Sequence, residues 1–254
     1  MPERQIMPGL DSPEPGSLAA VLWDMDGTLI DSEEYWMAAE IELVSAHGGV
    51  WTHQDGLGVV GMGLSDTARI LKSRGVALPT QEIVDRLTDR VLEQVATAVP
   101  WRPGARELLA MLRAAGIPTA LVTMSEHRMA AQVAAAIGFE AFTVIIGGDD
   151  VSVAKPDPEP YLHAARLLGV DIRCCIAIED SVPGLRSAVD SGAVSIGIPL
   201  HAALTADPAH TLWESLESKT VADLQSLFAE RTQSRSAVES DLNKTTPTFS
   251  KDAR

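Results

Sequence analysis

Five short apolar runs stand out along the chain, each four or five residues long and apolar almost throughout. Continuous apolar runs of this length predict strands buried on both faces, because a half-exposed strand would alternate apolar and polar residues. The runs lie at 20–23, 119–122, 142–146, 174–178 and 193–197. We interpret them as the strands of a protein core.

Helical patterns separate the later runs. Their apolar residues recur at three- and four-residue spacing, and a glycine follows each pattern, at Gly116, Gly138, Gly169 and Gly192. Glycine is the usual residue just past the end of a helix. Alternating strands and helices predict an α/β fold, in which a parallel, Rossmann-like sheet of five strands carries helices on both faces.

The segment between the first two runs is different. About 85 residues, from Glu33 to roughly Pro118, contain helical patterns and no strand-like run. A connection of that length inside a compact domain needs structure of its own. We therefore predict an inserted α-helical cap domain at 34–98, with the catalytic core formed by 18–33 plus 99–230.

The two ends of the chain differ in composition from the rest. Residues 1–17 are rich in proline, glycine and acid, and residues 231–254 are dominated by serine, threonine, aspartate and lysine. Such segments bury too little apolar surface to order themselves. We predict a flexible N-terminal arm at 1–17 and a disordered tail at 231–254.

Charge and cysteine content narrow the possible partners. The net charge is -15, from 20 basic and 35 acidic residues, which argues against nucleic acid and membrane surfaces as partners. Cys174 and Cys175 are adjacent in a predicted strand and would face opposite sides, so a disulfide framework is not expected. With no long apolar segment and no leader pattern, the sequence predicts a cytoplasmic protein, with a monomer as the default expectation.

Polar residues follow the predicted strands where parallel α/β sheets bind ligands, at the strands' C-terminal ends. This edge would gather Asp24, Asp26, Thr123, Glu179 and Asp180, with Lys155 ahead of the fourth strand. Clustered carboxylates repel unless a cation lies among them, and Mg²⁺ with oxygen ligands is the simplest candidate. A lysine and a hydroxyl beside the ion would suit an anionic ligand.

These residues resemble the motifs of the haloacid dehalogenase superfamily of phosphohydrolases. The match consists of D-M-D-G-T at 24–28, Thr123, Lys155-Pro156 and Glu179-Asp180, in that order. The likeness extends over about residues 18 to 230. It implies that Asp24 is a nucleophile that becomes phosphorylated, and that Asp26 is the general acid and base.

The same resemblance implies the binding groups. Thr123, Met124 and Lys155 would hold the phosphate. Asp24, the backbone carbonyl of Asp26, and Asp180 would bind Mg²⁺, with Glu179 in the same shell. The presence of Asp26 favours phosphate esters, because relatives that cleave carbon–halogen bonds lack an acid at this position.

The position of the insertion resembles the branch that contains phosphoglycolate phosphatases and β-phosphoglucomutase. Mutases of this branch carry a histidine soon after the D-S-E stretch and an arginine in the cap loop. The matching positions here are Trp36 and Leu64. We therefore favour a phosphatase acting on a small phosphorylated metabolite, a sugar or polyol phosphate, and keep a sugar-phosphate mutase as the alternative.

The cap is expected to select the substrate. Candidate contacts are Glu33, Trp36, Gly61, Met62 and Gly63. Asp31 and Ser32 are expected to cap the first cap helix rather than to touch substrate. A phosphate-sensing protein without catalysis is a third hypothesis, although every motif residue it would have lost is present.

Overall fold

The computed structural model describes residues 17–244, with side chains described for 17–235. Its centre is a parallel sheet in the order β3-β2-β1-β4-β5-β6. The strands are β1 (Ala20–Trp23), β2 (Thr119–Val122), β3 (Val144–Ile146), β4 (Cys175–Glu179), β5 (Val194–Gly197) and β6 (His210–Leu212). The predicted α/β class and parallel sheet are confirmed.

The expected number of strands, five, was wrong, because the sheet has six. The additional strand, β6, pairs in parallel with β5 at the sheet edge. It contains only His210, Thr211 and Leu212, all half-buried. A three-residue edge strand with two polar residues lacks the continuous apolar run by which the other strands were found.

Helices cover both faces of the sheet, as the alternating pattern predicted. They are α5 (Ala105–Ala114), α6 (His127–Ala136), α7 (Glu159–Leu168), α8 (Val182–Ser191) and α9 (Val221–Lys244). The central strands β1, β2 and β4 are buried at every residue, which is why their sequences are continuously apolar. Helices α7 and α8 end at Gly169 and Gly192 in the left-handed conformation.

Four helices occupy the insertion between β1 and α5. They are α1 (Glu33–Ala46), α2 (His53–Leu57), α3 (Leu64–Ser73) and α4 (Thr80–Thr97), and α4 packs on both α1 and α3. The chain leaves and re-enters the core side by side, since the Asp31 amide donates to the Pro100 carbonyl at 2.8 Å. The cap therefore joins the core through two adjacent crossings.

The C-terminal segment corrects one prediction. Residues 231–244 are not a disordered tail, because they continue helix α9. Leu224 and Phe228 of α9 are buried in the core, and Arg231 and Arg235 donate to backbone carbonyls beyond the helix. These contacts stabilise a segment whose composition alone suggested disorder. The predicted arm, apart from residue 17, and the tail beyond 244 lie outside the described residues.

None of the helices described above has the character of a membrane span. Within residues 17–244, none combines the length with the apolar character that crossing a bilayer requires.

Candidate active site

The C-terminal edge of the sheet and the cap enclose one cavity. Most of the residues singled out from the sequence line it, namely Asp24, Asp26, Glu33, Trp36, Gly61, Met62, Thr123, Met124, Lys155 and Asp180. Gly63 does not, since it lines a neighbouring depression. Glu179 lies fully buried behind the cavity. The side chains from β1, β2 and β4 meet as expected for a parallel sheet.

Lys155 is the centre of the buried charge network. Its ammonium donates to Asp24 Oδ1 at 2.8 Å, to Glu179 Oε1 at 2.6 Å and to the Val122 carbonyl at 2.8 Å. Burial alone would lower the pKa of Lys155, but Asp24 and then Glu179 raise it above its ordinary value. Lys155 is therefore held as a cation.

Glu179 is fixed by its neighbours. Besides Lys155, its Oε1 accepts from the Tyr161 hydroxyl at 2.6 Å, and its Oε2 accepts from Ser181 Oγ at 3.3 Å. Ser181 also caps α8 by accepting from the Gly184 amide. Because Ser181 is the cap of α8, Asp180 is left for another role.

Three carboxylates converge in this network. Asp24, Glu179 and Asp180 each offer an oxygen within 4.8 Å of the others, and all three are buried. Burial, followed by the charge of Glu179, raises the pKa of Asp24 to about 7 against the opposing effect of Lys155. Burial and then Asp24 raise the pKa of Asp180 well above its usual range. The single ammonium of Lys155 does not balance the charge that these three carboxylates would carry when ionised.

One atom shows where a cation would fit. Asp24 Oδ2 is buried and has no hydrogen-bond partner among the described residues. A buried carboxylate oxygen without a partner is costly, and a hard divalent ion with oxygen ligands would remove that cost. The donor set of Asp24, Asp180 and nearby Glu179 therefore fits Mg²⁺.

Gly27 allows Asp180 to approach β1. Its φ is +88°, and a Cβ at this position would lie 2.0 Å from Asp180 Oδ2. A side chain here would need both a strained backbone and displacement of the carboxylate. The glycine of the D-M-D-G-T motif thus brings Asp180 against the turn that carries Asp24 and Asp26.

Asp26 lies in a different environment from Asp24. Its Oδ1 accepts from Ser32 Oγ and from Trp36 Nε1 at 3.0 Å, and its Oδ2 accepts from Ser125 Oγ at 2.6 Å and Thr123 Oγ1 at 3.2 Å. The side chain of Asp26 is thus not one of the three converging carboxylates. A role for its backbone carbonyl as a metal ligand stays a prediction.

Several contacts in the site were not expected from the sequence. Ser32 occupies the N-cap position of α1 but makes no capping hydrogen bond with its side chain, so the expected cap was wrong and its hydroxyl binds Asp26. Asp31 instead contacts His201 at 2.7 Å. Glu40 of α1, which no motif indicated, also lines the cavity. Its seven-residue spacing from Glu33 on one helix face was the available signal.

The cap is closed over the core. A Cβ on Gly61 would lie 2.8 Å from Ser181 Cβ, so this cap loop lies directly against the β4–α8 connection. On the other side, Arg128 of α6 donates to Asp89 and to the Asp85 carbonyl of α4. The cavity is therefore bounded by both parts of the molecule.

Comparison with known proteins agrees with this geometry. The sequence profile of the haloacid dehalogenase-like hydrolases matches residues 18–192. The chain belongs to this family. The expected membership of the haloacid dehalogenase superfamily is thereby confirmed, and together with the phosphatases among its relatives this match confirms the expected phosphoric monoester hydrolase.

Individual relatives support the assignment. Hexitol phosphatase B of Escherichia coli is 30% identical over 189 residues, covering 73% of this chain and 85% of the relative. CbbY from Rhodobacter sphaeroides, solved in complex with phosphate, superposes with a TM-score of 0.74 at 30% identity, covering 82% of this chain and 99% of CbbY. β-Phosphoglucomutase from Clostridium difficile, at 20% identity and a TM-score of 0.74, shares the fold over 84% of this chain and 98% of its own.

Proposed function

We propose that this chain is a Mg²⁺-dependent phosphatase that hydrolyses a small phosphorylated metabolite, a sugar or polyol phosphate, through an aspartyl-phosphate on Asp24. The observation that carries the proposal is the buried Oδ2 of Asp24, which has no partner among the described residues. Asp24 lines the cavity, and its other carboxylate oxygen accepts from Lys155. The named phosphatase and phosphate-complex relatives support it. The cytoplasmic location stays a prediction.

The first step forms a bond from a carboxylate oxygen of Asp24 to phosphorus and breaks the bond from phosphorus to the leaving oxygen. Lys155 donates to Oδ1 of this carboxylate and so fixes its orientation in the cavity. Bound by Asp24 and Asp180, Mg²⁺ would supply positive charge that lets an anionic phosphate approach these carboxylates. Asp26 would give the proton that the leaving oxygen needs.

The hydrogen bonds of Asp26 suggest how its Oδ2 becomes available to carry that proton. The hydroxyl groups of Thr123 and Ser125 both donate hydrogen bonds to its Oδ2 in this structure. Phosphate oxygens arriving beside Thr123 would compete for these donors and free Oδ2 to carry a proton. In the second step water would attack phosphorus, the bond from phosphorus to Asp24 would break, and inorganic phosphate would leave. Asp26 would take the proton from this water and so hold it for the next leaving group.

The cap would limit access of water during the first step. The contact of Gly61 with Ser181 closes the cavity on the side of the cap loop. Closure of this kind keeps bulk water from the reacting groups until the leaving group departs.

The alternative, a sugar-phosphate mutase, finds less support. A mutase must hold a bisphosphate intermediate while that intermediate reorients in the active site. The two positions at which mutases of this branch carry basic residues are Trp36 and Leu64 here, and both line the cavity. Water is therefore the better-supported acceptor.

The test is phosphate release from p-nitrophenyl phosphate and from a panel of phosphorylated sugars and polyols, with Mg²⁺ and with EDTA. Asp24→Asn should abolish release, whereas Asp190→Asn, a change in an exposed aspartate of α8, should keep it. Near-normal turnover by Asp24→Asn would refute the mechanism. A mutase would instead convert a sugar phosphate without releasing phosphate.

A further inference from the structure

The cap side of the cavity carries two carboxyl groups from one helix. Glu33 and Glu40 lie seven residues apart on α1, which places them on the same face, and both line the cavity that contains Asp24. Glu40 is 4% exposed, and its Oε2 accepts from Trp51 Nε1 at 2.9 Å. A built-in hydrogen bond thus holds a buried carboxyl against the cavity.

No cation on the cap side balances this pair. Lys155 is the one basic residue among the described residues that line the cavity, and it already binds Asp24 and Glu179. Basic residues of the cap have acidic partners elsewhere, such as Arg69 with Asp66, Arg74 with Asp55 and Arg90 with Glu42. The region where a leaving group would lie is therefore acidic, and the described residues that line it offer no basic group to receive an anion.

The pKa values of the two groups reflect this environment. Burial first, and then the charges of Glu40 and Asp26, raise the pKa of Glu33 to about 8. Burial raises the pKa of Glu40 to about 7, against the opposing hydrogen bond from Trp51. Burial and nearby carboxylates make negative charge unfavourable on these two groups, and the same environment makes it unfavourable on a ligand bound beside them.

We propose that Glu33 and Glu40 form the leaving-group subsite and select phosphate monoesters whose leaving group is an uncharged polyol, excluding esters with a second phosphate or a carboxylate. This inference rests on the proposed phosphatase function and specifies its substrate class. Two carboxyl groups near neutral pH offer several acceptor oxygens and a proton, which match a row of hydroxyl groups. The anionic part of the substrate is then confined to the phosphate at Asp24 and Lys155.

The experiment uses two hexose-derived esters that differ in charge at one end. Glucitol 6-phosphate ends in a hydroxymethyl group, and 6-phosphogluconate ends in a carboxylate, with the same chain length and the same phosphate. We expect kcat/KM for glucitol 6-phosphate to exceed that for 6-phosphogluconate by about tenfold or more, as one uncompensated charge in a partly buried site would produce.

Variants connect this preference to the two residues. With kcat/KM measured at about pH 8.5, above the pKa values of both groups, Glu33→Gln and Glu40→Gln remove negative charge and keep side-chain size, and each should narrow the ratio of the two kcat/KM values several-fold. Glu42→Gln is the matched control, because Glu42 is an exposed glutamate on the same helix α1 whose partner is Arg90 and which does not line the cavity. It should leave the ratio unchanged.

The outcomes separate this inference from the proposed function. Equal kcat/KM for the two esters, or a preference that neither variant moves, would overturn the subsite while leaving the phosphatase in place. If p-nitrophenyl phosphate and both esters release no phosphate with Mg²⁺ present, the proposed function itself fails. Glutamine variants that unfold, as judged by circular dichroism, are replaced by Trp51→Phe, which removes the hydrogen bond to Glu40 and should also narrow the ratio.

Discussion

Replacement of Lys155 by methionine tests the buried charge network directly. The change keeps the length of the side chain but removes the ammonium that Asp24, Glu179 and the Val122 carbonyl share. Removing one partner from a buried charge pair costs about 3–5 kcal/mol, since the remaining charge has no compensation. We expect Lys155→Met to lower the free energy of unfolding by about this amount.

The cost should depend on pH in a definite direction. In the folded wild type, Asp24 loses its proton around pH 7, and Lys155 is one of the groups that lower this pKa. Without Lys155 the pKa of Asp24 rises, so above pH 7 the folded variant keeps a proton that the wild type has released. The unfolded chain has released it in both, because the ordinary pKa is 3.8. Above pH 7 the difference in stability therefore grows by about 1.4 kcal/mol per pH unit.

The assay is urea unfolding, followed by tryptophan fluorescence in EDTA at pH 6 and pH 8. Lys72→Met, a change in an exposed lysine of the cap, should stay within about 0.5 kcal/mol of the wild type at both pH values. A cost below about 1 kcal/mol for Lys155→Met, or a cost that falls as pH rises, would refute this account of the network.

Three further predictions address the metal site and the C-terminal helix. Gly27→Ala should lower the free energy of unfolding by about 1–2 kcal/mol and weaken Mg²⁺ binding in calorimetry. Gly48→Ala, at φ +75° with no atom within 4 Å of the new Cβ, should lower stability but leave Mg²⁺ binding unchanged. Equal Mg²⁺ binding by both variants would contradict the close approach of Asp180. Mg²⁺ should raise the melting temperature more at pH 8 than at pH 6, because Asp24, with a pKa of about 7, must lose its proton to bind the ion. A larger rise at pH 6 would exclude Asp24 as a ligand of Mg²⁺. Phe228→Ala should cost about 3–5 kcal/mol in urea unfolding, and a cost below about 1 kcal/mol would show that α9 adds little to the core.

The features that could be predicted from the sequence are those with strong local patterns. Strands β1, β2 and β4 are buried on both faces, so their residues are continuously apolar and recognisable. The polar residues after them converge because parallel strands end at one edge of the sheet. For the same reason Asp24, Thr123 and Asp180 could be assigned to one site from the sequence alone.

The features that could not be predicted depend on tertiary contacts. Strand β6 is stabilised by pairing with β5 rather than by its own apolar residues. The hydroxyl of Ser32 has the right position to cap α1, but the fold places Asp26 within reach, and the charged acceptor is preferred. Glu40 is acidic and would be exposed on an isolated helix, but packing within the cap buries it at the cavity wall, where Trp51 donates to it.

The central claim is that Asp24 becomes phosphorylated during turnover, and acid quenching followed by peptide mass spectrometry tests it most directly. The Asp26→Asn variant lacks the base for the second step and should slow breakdown of the intermediate. It is mixed with Mg²⁺ and p-nitrophenyl phosphate, whose leaving group departs without a proton from Asp26, and then quenched. We predict one phosphoryl group on the peptide that contains Asp24, and none when Asp24→Asn is added to the same variant. A phosphoryl group on another residue, or multiple wild-type turnovers with no trace of one at Asp24, would contradict the claim.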